Sequence, residues 1–341
     1  MKKILLLNTG GTIASNKSEK GLIPKYSGSY LINCIPKLKR LCNISYKDIL
    51  NIDSSNIQPE DWVIIAKEVY EGLKIYDGII LTHGTDTMAY TSSILSFMIK
   101  NLSKPVVITG AQTPLVENKN DGKKNLLDAF LVCVNGLPGV NIVFNGKIIK
   151  GCRAFKVETK NYNAYISVNY PYVGRVINSN VEIYANKKIY FGESIKLDNK
   201  IKSDVFLLKL IPGTKPEIFD CLVDMGYRGI VIESFGVGGI PYIKRNLLEK
   251  ATSMIENNIS IIIISQCIYG GTNLKIYDVG IRTEKAGVIS GYDMTTEATV
   301  TKLMWVLGHT NEPHIVRKMM LTNYCDEINL PSSAHKSLEP V

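Results

Sequence analysis

The chain has only four histidines and two tryptophans in 341 residues, and its seven cysteines (Cys34, Cys42, Cys133, Cys152, Cys221, Cys267, Cys325) include no CxxC pair. An odd, scattered set excludes a disulfide framework and a cysteine-built zinc site, and fits a reducing cytoplasm. The histidines are equally dispersed, so no metal is expected. No apolar run approaches the ~20 residues of a membrane helix. Met1-Lys2-Lys3 followed by Ile4 to Leu7 mimics a signal peptide. The apolar stretch is too short, however, and Asn8-Thr9-Gly10-Gly11 offers no small-residue cleavage pattern. The turn after this stretch lacks the G-x-G-x-x-G spacing of a dinucleotide site, and no GK[ST] marks a phosphate loop. Internal repeats and low-complexity tracts are absent.

What is present describes an ordinary globular protein, with 45% hydrophobic and 21% charged residues. The net charge of +9 comes mainly from lysines that form no run. It reads as a solvated surface, with no nucleic-acid or membrane partner and a mild attraction for small anions.

Strands are expected at Ile4 to Leu7, Gly78 to Leu81, Val106 to Thr109, Ile142 to Phe144, Val205 to Leu210, Gly229 to Ile232 and Ile261 to Ser265. These runs are continuous rather than alternating, as in parallel strands buried on both faces. "PEDWVIIAKEVYEGL" (59–73) reads as a helix, with proline and acids in its first turn and Trp62, Ile65, Ala66, Val69 and Leu73 on one face. "TTEATVTKLMWVLG" (295–308) reads likewise. The alternation implies an α/β fold, a doubly wound, mostly parallel sheet in a larger N-terminal domain (1–190). A charged linker (191–204) leads to a smaller α/β C-terminal domain (205–330) and a polar tail (331–341).

Ligands of such sheets bind beyond the carboxyl ends of strands. There stand Thr9-Gly10-Gly11-Thr12, Thr82-His83-Gly84-Thr85-Asp86-Thr87 and Gly110-Ala111-Gln112. Glycine admits a ligand close to the backbone, and backbone N–H groups hold an oxyanion. A threonine hydroxyl is a weak nucleophile that needs a base or relay, which a Thr–Asp pair with a lysine would supply. Each piece alone is weak. His83 reads as a hydrogen-bonding residue more than a metal ligand, and Asp86 is equally a helix cap.

Together, "TGGTIAS" (9–15) and "THGTDTMAYT" (82–91) resemble the bacterial-type L-asparaginase family, the asparaginase/glutaminases. The resemblance continues through "DSSNIQPEDW" (53–62), "KPVVITGAQTPL" (104–115), "QC" (266–267) and "SGYDMTTEATVTKL" (290–303), and "PEDW" and "TGAQ" are similar to the cytosolic type I branch. It implies hydrolysis of L-asparagine to L-aspartate and ammonia, without metal or cofactor, by a homodimer or dimer of dimers. Thr12 matches the nucleophile. Thr85, Asp86 and Lys156 match a second triad, with Lys160 the alternative register. Asp53, Ser54 and Ser55 match the turn that holds the α-amino and α-carboxylate groups, Asp86 a further ammonium contact, and Gly11, Gly84 and Ala111 main-chain contacts. Minor glutaminase activity is allowed, since one methylene is worth only ~1–3 kcal/mol of discrimination.

Two departures stand out. The tyrosine that follows the loop glycine in type I relatives is Leu22 here, which leaves Tyr277 or Tyr26 to assist Thr12. An effector-binding arginine and threonine of some type I enzymes are Glu233 and Phe155, so asparagine cooperativity is expected to be weak or absent. The rivals are an ammonia-producing subunit of a tRNA-dependent amidotransferase and a catalytically dead amino-acid sensor. The first carries an extra N-terminal domain for which a nucleophile at position 12 leaves no room. Only Leu22 favours the second.

Overall fold

The computed structural model describes residues 1–19, 21–184 and 194–331, in two compact units, Met1–Asn199 and Lys200–Val341. The first three residues of the expected linker and nearly all of the polar tail lie outside the described residues.

The first unit is built on an eight-stranded sheet. Its order is Asn180–Ile183, Gly174–Ile177, Lys147–Lys150, Gly139–Phe144, Pro105–Thr109, Gly78–Thr82, Lys3–Gly10 and Asn43–Ile52. The last five of these run parallel. The first three extend the sheet with antiparallel pairings. Gly78–Thr82 and Pro105–Thr109 are buried at every residue, which explains their unbroken apolar runs. Leu6, Ile80, Val107 and Phe130 belong to the core beside them. The chain leaves Lys3–Gly10 for the neighbour on one side, Asn43–Ile52, then crosses to Gly78–Thr82 on the other. Strand order therefore reverses between Lys3–Gly10 and Gly78–Thr82, and their carboxyl ends flank the switch point where such folds bind ligands.

Four strands of this sheet lacked a continuous apolar signal, among them Gly174–Ile177, whose burial alternates. Asn43–Ile52 is an edge strand with one partner and polar residues along it. The hairpins ending in Lys147–Lys150 and Asn180–Ile183 turn on Asn145-Gly146 and Asn178-Ser179, both pairs at positive φ. That is the left-handed geometry of tight two-residue hairpins, so the Asn-Gly dipeptide carried the signal for the first. The helix Pro59–Ile75 buries Trp62, Ile65, Ala66, Val69 and Leu73, and Asp61 accepts from the Gln58 backbone at 2.9 Å to close its first turn. Within the segment expected as a linker, Lys196–Leu197 pairs antiparallel with Ile99–Lys100.

The second unit has four parallel strands in sequence order, Val205–Lys209, Gly229–Ser234, Ser260–Ser265 and Ile289–Ser290. All seven cysteines are free thiols. Among the described residues no helix is long and apolar enough to cross a membrane, and no cluster of three acidic, histidine or cysteine side chains could hold a metal ion.

The helix Thr296–Leu307 is capped by Thr295 and carries Glu297 in its first turn. Glu297 is buried with Oε2 unpartnered, and burial pushes its carboxyl up to about 7. A folded-state value above the ordinary one contributes stability below about pH 4.5 that is lost as pH rises through 7. Glu297→Gln should raise the stability of this unit at pH 8 by up to roughly 3 kcal/mol and change it little near pH 4, read by denaturant unfolding at both pH values.

Candidate active site

Two consecutive glycines end the first strand because two backbones press on them. Gly10 and Gly11 have φ of 98° and 72°. A Cβ on Gly10 would lie 2.8 Å from the Ile52 backbone, and one on Gly11 would lie 2.3 Å from the Gly84 nitrogen. Any side chain there would force the strand ends apart. Gly84 in turn has no room for a Cβ against Ser54, whose Oγ would be 2.5 Å away. The loops that carry Gly11 and Gly84 thus meet backbone to backbone, and Gly84 meets the Ser54 side chain on its other face. Thr9 turns inward and its hydroxyl donates to the Thr82 carbonyl at 2.8 Å, a structural bond across the two strands. Thr12, half-buried, opens a single 3-10 turn over Thr12–Ala14, and Ile13 and Ala14 are buried beneath it.

Thr85 is 5% exposed and lies at the centre of a tight network. Lys156 Nζ donates to Thr85 Oγ1 at 2.8 Å and to Asp86 Oδ1 at 2.7 Å. Lys156 stands on a short strand, Ala154–Lys156, paired antiparallel with Tyr165–Ser167. Lys160, the alternative register, is an exposed residue beyond that strand. The Thr85 hydroxyl donates to Gln112 Oε1 at 3.0 Å, and Gln112 Nε2 donates to the carbonyls of Glu158 and Asn161. Tyr165 donates its phenolic proton to the Thr85 carbonyl. Gln112 and Tyr165 received no role from the sequence. Gln112 stands in the TGAQ motif, whereas only the fold brings Tyr165 near.

Asp86 is exposed, with its side chain 63% accessible against 18% for Lys156. It is not a helix cap: the next helix, Met88–Met98, begins after Thr87, without a side-chain cap. Asp53 Oδ1 accepts from the Ser55 backbone N–H at 2.9 Å and from the Ser55 hydroxyl at 2.5 Å. Ser54 is buried, accepts from the Asp86 N–H at 3.2 Å, and takes the Thr87 hydroxyl on its carbonyl at 2.7 Å. Among the described residues no group accepts the Ser54 hydroxyl proton. Ala111 is fully buried.

The two tyrosines differ. Tyr26 follows the hairpin Ser15–Ser18/Gly21–Pro24, where Leu22 pairs with Lys17. Its ring stacks on Tyr30 at 4.1 Å and packs against the core, and its backbone N–H donates to the Ala14 carbonyl. Tyr277 belongs to the second unit, where it precedes the helix Asp278–Lys285 and is 61% exposed. Glu233 accepts from the Thr296 hydroxyl at 2.6 Å and lies 3.6 Å from Lys209.

His83 is wholly buried and holds the loop from beneath. Trp62 Nε1 donates to Thr91 Oγ1 at 3.0 Å, so Thr91 gives its proton to His83 Nε2, and His83 Nδ1 donates to the Gly84 carbonyl at 2.7 Å. Burial lowers the imidazole pKa to about 4, opposed by the bond to Gly84.

The fold and this cluster define a doubly wound α/β protein with a Thr–Asp–Lys centre at the sheet's switch point. The chain belongs to the asparaginase family: residues 3–189 match the model "Asparaginase, N-terminal" and residues 204–320 the model "Glutaminase/Asparaginase C-terminal domain". It is 43% identical to the L-asparaginase of Thermococcus kodakarensis over 96% of this chain and 99% of that protein. A solved structure of the thermostable L-asparaginase from that organism superposes with a TM-score of 0.90 at 42% identity, covering 96% of this chain and all of the other. L-asparaginase I of Vibrio cholerae gives 0.87 at 32% identity, with 96% and 99% covered. A subunit of the glutamyl-tRNA(Gln) amidotransferase of Pyrococcus abyssi is 38% identical over 96% of this chain and 77% of that protein.

Because the His83 pKa is depressed in the folded state, the unfolded chain binds a proton first as pH falls. Stability is therefore lost from about pH 6.5 toward 4, by up to roughly 3 kcal/mol. His83→Gln, which takes up no proton, should flatten this part of the pH–stability curve of the first unit; an unchanged slope would place the titration elsewhere.

Proposed function

We propose that this chain is an L-asparagine amidohydrolase, releasing L-aspartate and ammonia through a threonine nucleophile. The observation that carries the reading is Lys156 donating to both Thr85 and Asp86, at 2.8 and 2.7 Å, beside the Gly11–Gly84 contact. Likeness to L-asparaginases along nearly their whole length supports it. Thr12 Oγ adds to the side-chain amide carbon, and backbone N–H groups of the glycine turns stabilise the oxyanion. The C–N bond breaks, the nitrogen leaves as ammonia with a proton, and water attacks the threonyl ester to free aspartate. Asp86 and Asp53 supply negative charge for the substrate ammonium. Ser54 supplies a donor for its α-carboxylate, Ser55 supplies another once its hydroxyl turns from Asp53, and Gly11, Gly84 and Ala111 contribute main-chain contacts. The enzyme is a cytoplasmic homodimer or dimer of dimers, with glutamine a minor substrate.

The 38% identity to the amidotransferase polypeptide of Pyrococcus abyssi favours a second reading, ammonia supply to a tRNA-bound glutamate. The purified chain alone separates the two. It should release ammonia from free L-asparagine, with L-glutamine slower, and Thr12→Ala, Thr85→Ala and Lys156→Ala should each lose about 10³-fold or more of kcat. The rate curve should be hyperbolic in asparagine, because Glu233 and Phe155 stand where an effector would need other groups. Turnover only with an added protein partner and tRNA would favour the second reading. Binding of asparagine without turnover would indicate a sensor.

As the tyrosine that assists Thr12, Tyr277 is preferred to Tyr26, whose ring is committed to the Tyr30 stack and the core. Tyr277→Phe should lower kcat by about tenfold or more, on the scale of a lost proton relay, and Tyr26→Phe by less. Equal activity of both variants and wild type would remove the relay.

A further inference from the structure

Asp121 lies under the loop 110–113 and is 7% exposed, with no cation among its described partners. Both its oxygens accept from the Gln112 N–H, at 3.1 and 3.0 Å. Oδ1 also accepts from the Thr113 N–H at 3.0 Å, and Oδ2 from Asn125 Nδ2 at 3.1 Å. Asn125 Nδ2 reaches the Gly110 carbonyl at 3.0 Å as well, and its Oδ1 accepts from the Asn145 N–H at 2.9 Å. The helix Gly122–Asn135 starts directly beneath, and a Cβ on Gly122 would touch the Ala111 Cβ at 3.2 Å. A buried carboxylate compensated only by N–H dipoles is costly to build, and burial raises its pKa against those donors.

The peptide between Ala111 and Gln112 is trans, as is every peptide among the described residues. In a trans peptide the N–H and C=O point in opposite directions. Fixing the Gln112 N–H on Asp121 therefore turns the Ala111 carbonyl away from Asp121. It also polarises that carbonyl, since an N–H bound to an anion makes the other end of its amide a stronger acceptor. Among the described residues no hydrogen bond reaches this carbonyl.

We propose that Asp121 is a positioning residue that aims the Ala111 carbonyl at the substrate's side-chain amide, so that the site accepts an amide and expels the carboxylate formed from it. The proposal rests on the amidohydrolase reading. The –NH₂ of an amide donates to a carbonyl. The product's carboxylate oxygen at that place has nothing to donate and meets both the carbonyl oxygen and the Asp121 charge beneath it. A buried acceptor left unpaired costs about 1–3 kcal/mol, which the amide recovers and the product does not.

The test compares wild type, Asp121→Asn and Asn125→Leu by ammonia release from L-asparagine and by inhibition with L-aspartate. Asp121→Asn should lower kcat/KM about tenfold or more, and it should lower the Ki of aspartate relative to the KM of asparagine by about fivefold or more. Asn125→Leu, which removes one brace and leaves the carboxylate, should move both in the same direction by less, and it decides the matter where Asp121→Asn does not fold. An unchanged ratio of Ki to KM, even with slower turnover, would make Asp121 a purely structural residue and overturn the proposal. Wild type that binds both ligands but releases no ammonia would instead overturn the amidohydrolase reading, and the relative affinity for amide and acid would still report on Asp121.

Discussion

A Cβ on Gly11 would sit 2.3 Å from the Gly84 nitrogen, and one on Gly84 would sit 2.5 Å from Ser54 Oγ. That double contact is the constraint on which the first unit's chemistry depends. Three loops from three different strand ends are held in contact, with Thr12 following Gly11 in the first, Thr85 and Asp86 following Gly84 in the second, and Asp53 and Ser55 flanking Ser54 in the third. The switch in strand order makes the gap, because Asn43–Ile52 and Gly78–Thr82 lie on opposite sides of Lys3–Gly10. Glycine then lets the loops close it. A longer side chain at either position would open the site without touching any reacting group.

Charge is placed differently in the site and in the frame. The Lys156–Asp86 pair is partly exposed, with Asp86 facing solvent. Such pairs contribute at most about 1 kcal/mol to stability, so this one is explained by where it holds Nζ, not by what it adds to folding. Lys302 and Glu327 in the second unit are the opposite case. Both are fully buried, and the ammonium is shared among Glu327 and the carbonyls of Met320 and Thr322. Glu327 in turn accepts the N–H groups of Tyr324 and Cys325. A buried pair with every partner supplied fixes the chain following the helix Pro313–Leu321, and removing one member would strand the other.

How much of this the sequence disclosed follows the length scale of each feature. Strands buried on both faces announce themselves as apolar runs, so Gly78–Thr82 and Ser260–Ser265 were legible within a residue. Asn43–Ile52 was not, because an edge strand has a wet side and its polar residues break the run. The glycine turns were visible as sequence, but the reasons for the two glycines lie in the backbones of Ile52 and Gly84, about 40 and 70 positions away. Lys156 shows the same limit more sharply. Nothing local marks it as the partner of Thr85, and its place came from family resemblance alone. Asp121 stands among Lys119, Asn120 and Lys123, where nothing local marks a buried carboxylate. Only the folded loop shows that its carboxylate points at the backbone of Gln112.

Thr85 has one hydroxyl proton and, among the described residues, one side-chain acceptor for it. Gln112 Oε1 receives it here, while Lys156 Nζ donates to the same oxygen. The Gln112 amide is not free to turn over, since its Nε2 is held by the carbonyls of Glu158 and Asn161. Its oxygen therefore always faces Thr85. Nζ is held from the other side by Asp86, and the Thr85 main chain is pinned by Tyr165. With all four neighbours fixed, the remaining freedom is rotation of the hydroxyl about Cβ–Oγ. Lys156 Nζ donates to Oγ1 from one side and Gln112 Oε1 accepts from the other, so the geometry of these two partners sets that rotation and directs the O–H bond at Gln112.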